Sequence, residues 1–175
     1  MADNISNPQD ATPPSPGAAL STARKVEELA DHLSACADAI HARVMRDIQR
    51  ASGDVPESEK NVARTLLDAE QELRQRADRL YADAASCIVG SLGQSQQHLI
   101  QLTTDAAARI QAITRIGDGI TLVARLLGVA AAAILGQGIA LVTALEALDG
   151  QLATVAAHTP PPTPTAPAPT PASSA

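Results

Sequence analysis

The chain has 175 residues and a formal net charge of −6, and Tyr81 is its only aromatic residue. A mildly acidic chain lacks the basic face that nucleic-acid binding needs, so we expect no nucleic-acid partner. Strands favour β-branched and aromatic residues, and no alternating run of them occurs. Alanine is abundant and has the highest helix propensity, so the composition predicts an all-α protein.

The two ends of the chain have compositions that disfavour folding. Residues 1–20 are rich in Pro, Asn, Ser and Asp. They can bury too little apolar surface to offset the entropy lost on ordering, so we predict a disordered N-terminal segment. Residues 151–175 include seven prolines between Pro160 and Pro171, which oppose a helix and favour polyproline II. This Pro/Ala/Thr-rich tail is predicted to be a disordered spacer, with a ligand for a proline-binding partner as the alternative.

Residues 21–115 are predicted to form a long antiparallel helical hairpin of coiled-coil type. The first helix is expected over 21–50, where apolar residues recur at steps of three and four. The stretch from Gly53 to Glu57 combines a C-cap glycine, a capping-box pair and a proline in the first turn of the next helix. Such a short turn brings the first helix against a second one over roughly 56–91.

The second helix carries apolar residues at every seventh position, which is the spacing of a coiled-coil seam. The members of this seam are Leu66, Leu73, Leu80 and Cys87. Gly90 and Gly93 weaken the pattern that follows, because each glycine costs roughly 1 kcal/mol relative to alanine in a helix. A kink or break is therefore expected there, before the apolar periodicity resumes at Leu99.

Residues 116–150 are predicted to form an apolar helix that inserts into a membrane. Twenty uncharged residues run from Leu126 to Leu145, and a helix of that length rises about 30 Å, the hydrocarbon thickness of a bilayer. Small residues at every fourth position form a face that lets two helices approach closely, and the Gly136–Gly138 pair is interpreted as part of that packing. A helix buried in a soluble bundle or an oligomer is the alternative. The members of this small-residue face are Ala124, Gly128, Ala132, Gly136, Ala140 and Ala144.

The charges around the apolar run predict an orientation for such a membrane span. Arg109, Arg115 and Arg125 precede the run, whereas Glu146 follows it and no later residue is Lys or Arg. The positive-inside rule then places the N-terminal helices in the cytoplasm and the proline tail across the inner membrane of a bacterium. A cytoplasmic protein is the alternative.

No constellation of residues predicts catalysis, a cofactor or a metal site. His32 and Cys36 lie four residues apart, but a metal site needs three or four converging ligands. The sequence from Gly117 to Gly119 lacks the Lys-Ser/Thr pair of a phosphate-binding loop. Cys36 and Cys87 fall on apolar helix faces and are interpreted as small buried hydrophobes. We therefore expect a protein without enzymatic activity, cofactor or metal.

Three non-enzymatic functions fit this pattern. The preferred one is a membrane-associated helical scaffold that forms a homo-oligomer through the small-residue face. The second is a soluble oligomer that coats an apolar surface; long amphipathic helices with an Ala/Pro-rich end resemble, in general build, the bacterial phasins that cover polyester granules. The third is a secreted protein whose apolar segment enters a target membrane, and the first ten residues show no signal-peptide pattern. In each case the expected partner is a lipid bilayer or another apolar surface.

Overall fold

The computed structural model describes residues 18–51, 56–90, 92–113 and 116–158. Within these ranges the secondary structure is helical, apart from one isolated β-bridge between Ala18 and Ser95. The predicted all-α fold class is therefore confirmed. The helices, in chain order, are α1 (Ala23–Arg50), α2 (Glu57–Ala82), α3 (Gln96–Ala112), α4 (Ile116–Ile134) and α5 (Gly138–His158).

The long helices α1 and α2 begin and pack as the apolar pattern indicates. The Thr22 side chain caps α1 by accepting a hydrogen bond from the Lys25 N–H. Contacts between the two helices run in opposite order along the chain, because Tyr81 donates to Asp31 while Arg74 donates to Asp38 at 2.7 Å. This order is that of antiparallel helices and is compatible with the predicted hairpin. The predicted turn residues 53–55 lie outside the described residues.

The second predicted helix is shorter than expected, because α2 ends at Ala82 rather than near residue 91. A turn covers residues 83–87, and Gly93 adopts a φ of +67°, which a continuing helix cannot accommodate. The glycine signal thus marks a complete break, and α3 is a separate helix. Its N-terminus is capped by Ser95, whose side chain accepts from the His98 N–H at 3.1 Å.

The predicted boundary of the N-terminal disordered segment at residue 20 is too late in the chain. Ala18–Ser21, which we call the N-terminal strap, are described, and Ala19 and Leu20 are fully buried. The Ala19 N–H donates to the Gln94 carbonyl at 2.8 Å, and the Leu20 carbonyl accepts from the Val89 N–H at 3.0 Å. Two apolar residues at the end of a polar segment were therefore enough to anchor it. Residues 1–17 lie outside the described residues.

The single apolar helix predicted over 116–150 is instead two helices joined by a tight turn. α4 ends at Ile134 and α5 begins at Gly138. Gly136 has a φ of +62°; its N–H donates to the Ala133 carbonyl at 3.0 Å and the Gln137 N–H to the Ala132 carbonyl at 3.4 Å. This pair of bonds is a Schellman motif, which ends a helix at a glycine in the left-handed conformation. The prediction missed it because it interpreted both glycines as packing residues.

The boundary predicted for the C-terminal tail is also wrong, since α5 continues to His158 rather than ending near residue 150. Leu152 and Val155 are buried against the other helices, and burial of such side chains stabilises these extra turns. At the end of α5 the His158 Nδ1 lies 2.9 Å from the Asp118 carboxylate in the first turn of α4. The proline-rich residues 159–175 lie outside the described residues.

The helices alternate in direction, so that the bundle has two distinct ends. α3 runs parallel to α1, because Cys36 contacts the Thr103 carbonyl and Arg43 contacts the Ile110 carbonyl. α4 runs parallel to α2, because Arg76 donates to the Leu127 carbonyl at 2.7 Å while Cys87, beyond the end of α2, contacts the Ile134 carbonyl. The strap, residues 83–95 and the α4–α5 turn therefore lie at one end. The C-termini of α1, α3 and α5 lie at the other.

Candidate functional site

The predicted coiled-coil seam lies largely in the core. Leu73 and Leu80 are fully buried on α2, and Leu66 is half-buried near its N-terminus. Cys87 is buried as well, but it lies beyond the end of α2, in the turn that follows. Its Sγ is 3.6 Å from the Ile134 carbonyl oxygen, so this residue contacts the end of α4 rather than extending a helical stripe.

The predicted small-residue face is not one helix face, because the α4–α5 turn divides it. Ala124 and Gly128 are exposed on α4, whereas Ala132 is buried. Gly136 lies in the turn itself. The last two members, Ala140 and Ala144, are half-buried on α5. A ridge continuous over all six positions would need a single straight helix, so the structure removes that geometric basis.

The α4–α5 turn instead brings together a different set of residues, which we call the hairpin tip: Ile134 to Ile139. Leu135 is 65% exposed and Ile139 is 88% exposed, the two highest values among the large apolar side chains of the described residues. Ile88, which follows the turn that contacts Ile134, is 40% exposed at the same end of the bundle. These three exposed aliphatic residues are the candidate contact surface at this end of the bundle.

Backbone hydrogen bonds close the turn between α4 and α5. The Leu135 N–H donates to the Ala131 carbonyl at 3.2 Å, and the next two N–H groups complete the Schellman motif. On the other side of the turn the Leu141 N–H donates to the Gln137 carbonyl at 2.9 Å. These bonds fix the direction in which α5 leaves the turn.

The two helices of this hairpin, α4 and α5, are its two legs, and each is uncharged for only part of its length. On α4 the uncharged part runs from Leu126 to Ile134, nine residues or about 13 Å of helix. On α5 it runs from Gly138 to Leu145, about 12 Å. Arg125 and Glu146 are exposed at the ends of these stretches. The charges therefore form a belt set back from the tip by nearly the same distance on both helices.

Two helices are long and apolar enough to cross a membrane, judged by length and composition alone. The stretches that meet this criterion are Gly117–Ile134 and Gly138–His158. About a third of each stretch is buried inside the bundle, 39% and 28% respectively. Apart from Ile139, the exposed residues of both stretches are Ala, Gly, Thr, His and charged residues, so the large apolar side chains free for another contact are those at the hairpin tip.

The cysteines and acidic residues offer no reactive arrangement among the described residues, where no group of three or more His, Cys, Asp or Glu side chains could hold a metal ion. Burial raises the pKa of the Cys36 thiol to about 12. Burial also raises the pKa of Cys87, with a smaller contribution from the Asp83 carboxylate. Both thiols therefore stay protonated and weakly nucleophilic near neutral pH.

Comparison of the chain with protein-family models, with curated proteins and with solved structures finds no match. The assignment of a function therefore depends on the geometry of the hairpin tip. Sequence reasoning found the uncharged run that contains the tip but missed the fold within it. The available signal was the Gly136–Gln137–Gly138 sequence, because two glycines around a polar residue are a common way to end one helix and begin another.

Proposed function

We propose that this protein is a non-enzymatic helical protein that attaches to a lipid bilayer by inserting the hairpin tip. The observation that carries the proposal is the exposure of Leu135 and Ile139 at the end of an uncharged helical hairpin. Burying a Leu or Ile side chain in hydrocarbon is worth about 1.5–3 kcal/mol. An aliphatic pair on a rigid turn thus supplies binding energy without requiring the bundle to unfold.

The lengths of the two legs favour insertion into one leaflet over a complete span. A straight helix over the twenty uncharged residues from Leu126 to Leu145 would rise about 30 Å, the full hydrocarbon thickness. Folding at Gly136 halves this reach to about 13 Å, close to the half-thickness of the core. Arg76 of α2 donates to the Leu127 carbonyl beside this stretch, so an intact bundle inserts only the last turn around Leu135 and Ile139, within one leaflet.

A tip that enters and leaves through the same leaflet has a definite topology. Residues before α4 and residues after α5 remain on one side of the membrane, whereas a single span would place the proline-rich tail on the opposite side. The contact between His158 and Asp118 joins the bases of the two legs on that shared side. We propose this same-side arrangement in place of the expected transmembrane orientation. Homo-oligomer formation through the small-residue face stays a prediction, with the exposed Ala124 and Gly128 as its remaining surface.

Vesicle flotation tests the attachment. Full-length protein is mixed with phosphatidylcholine/phosphatidylglycerol vesicles, and the floated fraction is measured. Replacing Leu135 and Ile139 together by Asp changes the insertion free energy by roughly 3 kcal/mol per residue at full depth, so vesicle binding should fall more than tenfold. The control is Ile48→Asp, which changes an aliphatic residue that is 46% exposed at the opposite end of the bundle. Equal flotation of the tip variant and the wild type would overturn the proposal, as would a wild type that never floats.

Insertion depth is measurable because the chain contains no tryptophan. Ile139→Trp places a single indole fluorophore at the tip, and lipids brominated at different positions along the acyl chain quench it according to depth. If the tip inserts, the brominated lipids should quench the indole fluorescence, and the indole should be shielded from an aqueous quencher. An indole that stays fully accessible to the aqueous quencher with vesicles present would contradict insertion.

A further inference from the structure

A cavity of about 650 Å³ lies at the end of the bundle opposite the hairpin tip. It is bounded by the C-terminal half of α1, the N-terminal half of α2, the end of α3 and the beginning of α4. This volume falls within the range of roughly 300–1,000 Å³ that is usual for small-molecule sites. The side chains that form its apolar wall are Ile40, Val44, Leu66, Leu67, Ile110 and Val123.

The wall of the cavity selects an aliphatic ligand. Every wall residue of this set is aliphatic, and the only aromatic side chain of the chain, Tyr81, does not line the cavity. A flat aromatic ligand would therefore find no ring to stack against. The polar side chains that line the cavity are all charged, and none belongs to the apolar wall. The polar groups of a sugar would find no hydrogen-bond partner along that wall, which costs binding energy.

The charged residues at the rim are predominantly basic. Arg43, Arg50, Lys60 and Arg64 line the cavity together with only two acidic residues, Asp47 and Glu59. Arg43 is held in place, since it donates to the carbonyls of Ile110 and Ile113 at the end of α3 and to the Asp47 carboxylate at 2.6 Å. Lys60 and Arg64 lie on one side of the rim, where each makes an exposed ion pair with Glu57. Exposed pairs of this kind are weak and exchange readily with another anion.

We propose that this cavity binds a single-chain amphiphile with an anionic head group, namely a fatty acid. The acyl chain lies along the aliphatic wall, and the carboxylate lies at the rim near Lys60 and Arg64. The arrangement joins the two features that such a ligand needs, an aliphatic wall and a rim lined by four basic and two acidic side chains. The inference does not depend on the proposed attachment through the hairpin tip, because the two sites lie at opposite ends.

Binding of sodium dodecanoate to the full-length protein, below its micelle concentration and without vesicles, tests the proposal by isothermal titration calorimetry. The wild type should bind one equivalent. Ala63→Trp fills the cavity from the α2 wall and should weaken binding at least tenfold. The matched control is Ala69→Trp, since Ala69 is also half-buried on α2 but does not line the cavity. Circular dichroism verifies that both variants fold. Equal binding by wild type and Ala63→Trp would overturn the site, as would no binding by the wild type.

Three probes with the same chain length separate head-group recognition from simple apolar binding. Dodecanoate should bind at least fivefold more tightly than dodecanol, and dodecyltrimethylammonium should bind most weakly. Lys60→Glu combined with Arg64→Glu should abolish the preference for dodecanoate while leaving dodecanol binding unchanged. Equal affinity for all three probes would overturn the proposed anion selectivity. The Leu135/Ile139 tip variant should keep dodecanoate binding, so failure of vesicle flotation and failure of the cavity proposal are distinguishable.

Discussion

Replacing Gly136 by alanine tests whether the apolar run is folded at that residue. The φ of +62° places Gly136 in the left-handed region, which costs an L-residue about 1–2 kcal/mol. Space is not limiting, because an added Cβ would lie 3.8 Å from the nearest atom, the Ser86 carbonyl oxygen. Alanine also lowers the entropy of the unfolded chain, which returns about 0.4–1 kcal/mol. The net expectation is a loss of about 1 kcal/mol in the free energy of unfolding.

Gly128→Ala is the matched control, because the same substitution should have the opposite sign there. Gly128 lies inside α4, it is exposed, and an added Cβ would meet nothing within 4 Å. An alanine at such a helix position is expected to stabilise by roughly 0.5–1 kcal/mol. Both residues belong to the predicted small-residue face. A single straight helix would therefore make the two substitutions equivalent, whereas the hairpin separates them by about 2 kcal/mol.

Urea denaturation followed by circular dichroism measures both free energies. In thermal scans a change of 1 kcal/mol corresponds to about 2–4 °C for a chain of this size, so the two variants should lie on opposite sides of the wild type. If Gly136→Ala stabilises the protein as much as Gly128→Ala does, residue 136 is helical. The folded apolar run, and the one-leaflet depth derived from it, would then be refuted.

Three further predictions concern buried or bridging side chains. Gln96→Ala removes the buried amide that accepts from the Leu20 N–H at 3.0 Å and holds the strap, and it should cost about 1–3 kcal/mol in urea melts. Gln97 is exposed, so Gln97→Ala should cost less than ~0.5 kcal/mol. Equal losses for the two variants would contradict the role of the Gln96 amide in holding the N-terminal strap. Burial raises the pKa of Cys36 to about 12. The free energy of unfolding should therefore be constant while the pH is below the ordinary pKa of a thiol, and it should fall as the pH rises above that value. Between pH 8 and 10 the wild type should lose about 1 kcal/mol more than Cys36→Ala, and parallel pH profiles would contradict a buried thiol. Arg76→Ala should cost about 1 kcal/mol, because it removes the hydrogen bond to the α4 backbone. Arg79 is exposed, so Arg79→Ala should have a smaller effect. Comparable shifts in melting temperature for the two variants would contradict the α2–α4 contact.

The fold class could be predicted because it depends on local composition and periodicity. The apolar steps of three and four over α1 recur along 28 residues, and a pattern that long leaves little ambiguity. Leu73 and Leu80 were placed in a seam for the same reason, and both are fully buried. The separation of α2 from α3 was also signalled locally, by Gly90 and Gly93, although α2 itself ends earlier, at Ala82. These features can be predicted without knowing which helices pack against each other.

The errors occurred where tertiary contacts decide the outcome. A glycine in an apolar run can pack against a neighbour or end a helix, and only the course of the chain after Gly136 separates these two roles. Leu20 looked like part of a disordered segment because its partners, Val89 and Gln96, are distant in the sequence. The cavity was invisible for the same reason, since its wall is assembled from four helices.

The turn at Gly136 shortens the distance that the uncharged run of twenty residues can reach into a membrane. Hydropathy summed along the sequence treats the run as one element, and its length then matches a bilayer. Once the run is folded, the same residues supply an apolar tip about 13 Å deep, with the charges of Arg125 and Glu146 on a common level. Because the inner face of α4 packs against α2, the tip presents only its outward side chains. Arg76 contacts Leu127 and Cys87 contacts Ile134, so α2 and the turn after it stay beside α4 along this stretch, and an intact bundle would present only the last turn around Leu135 and Ile139 to the lipid.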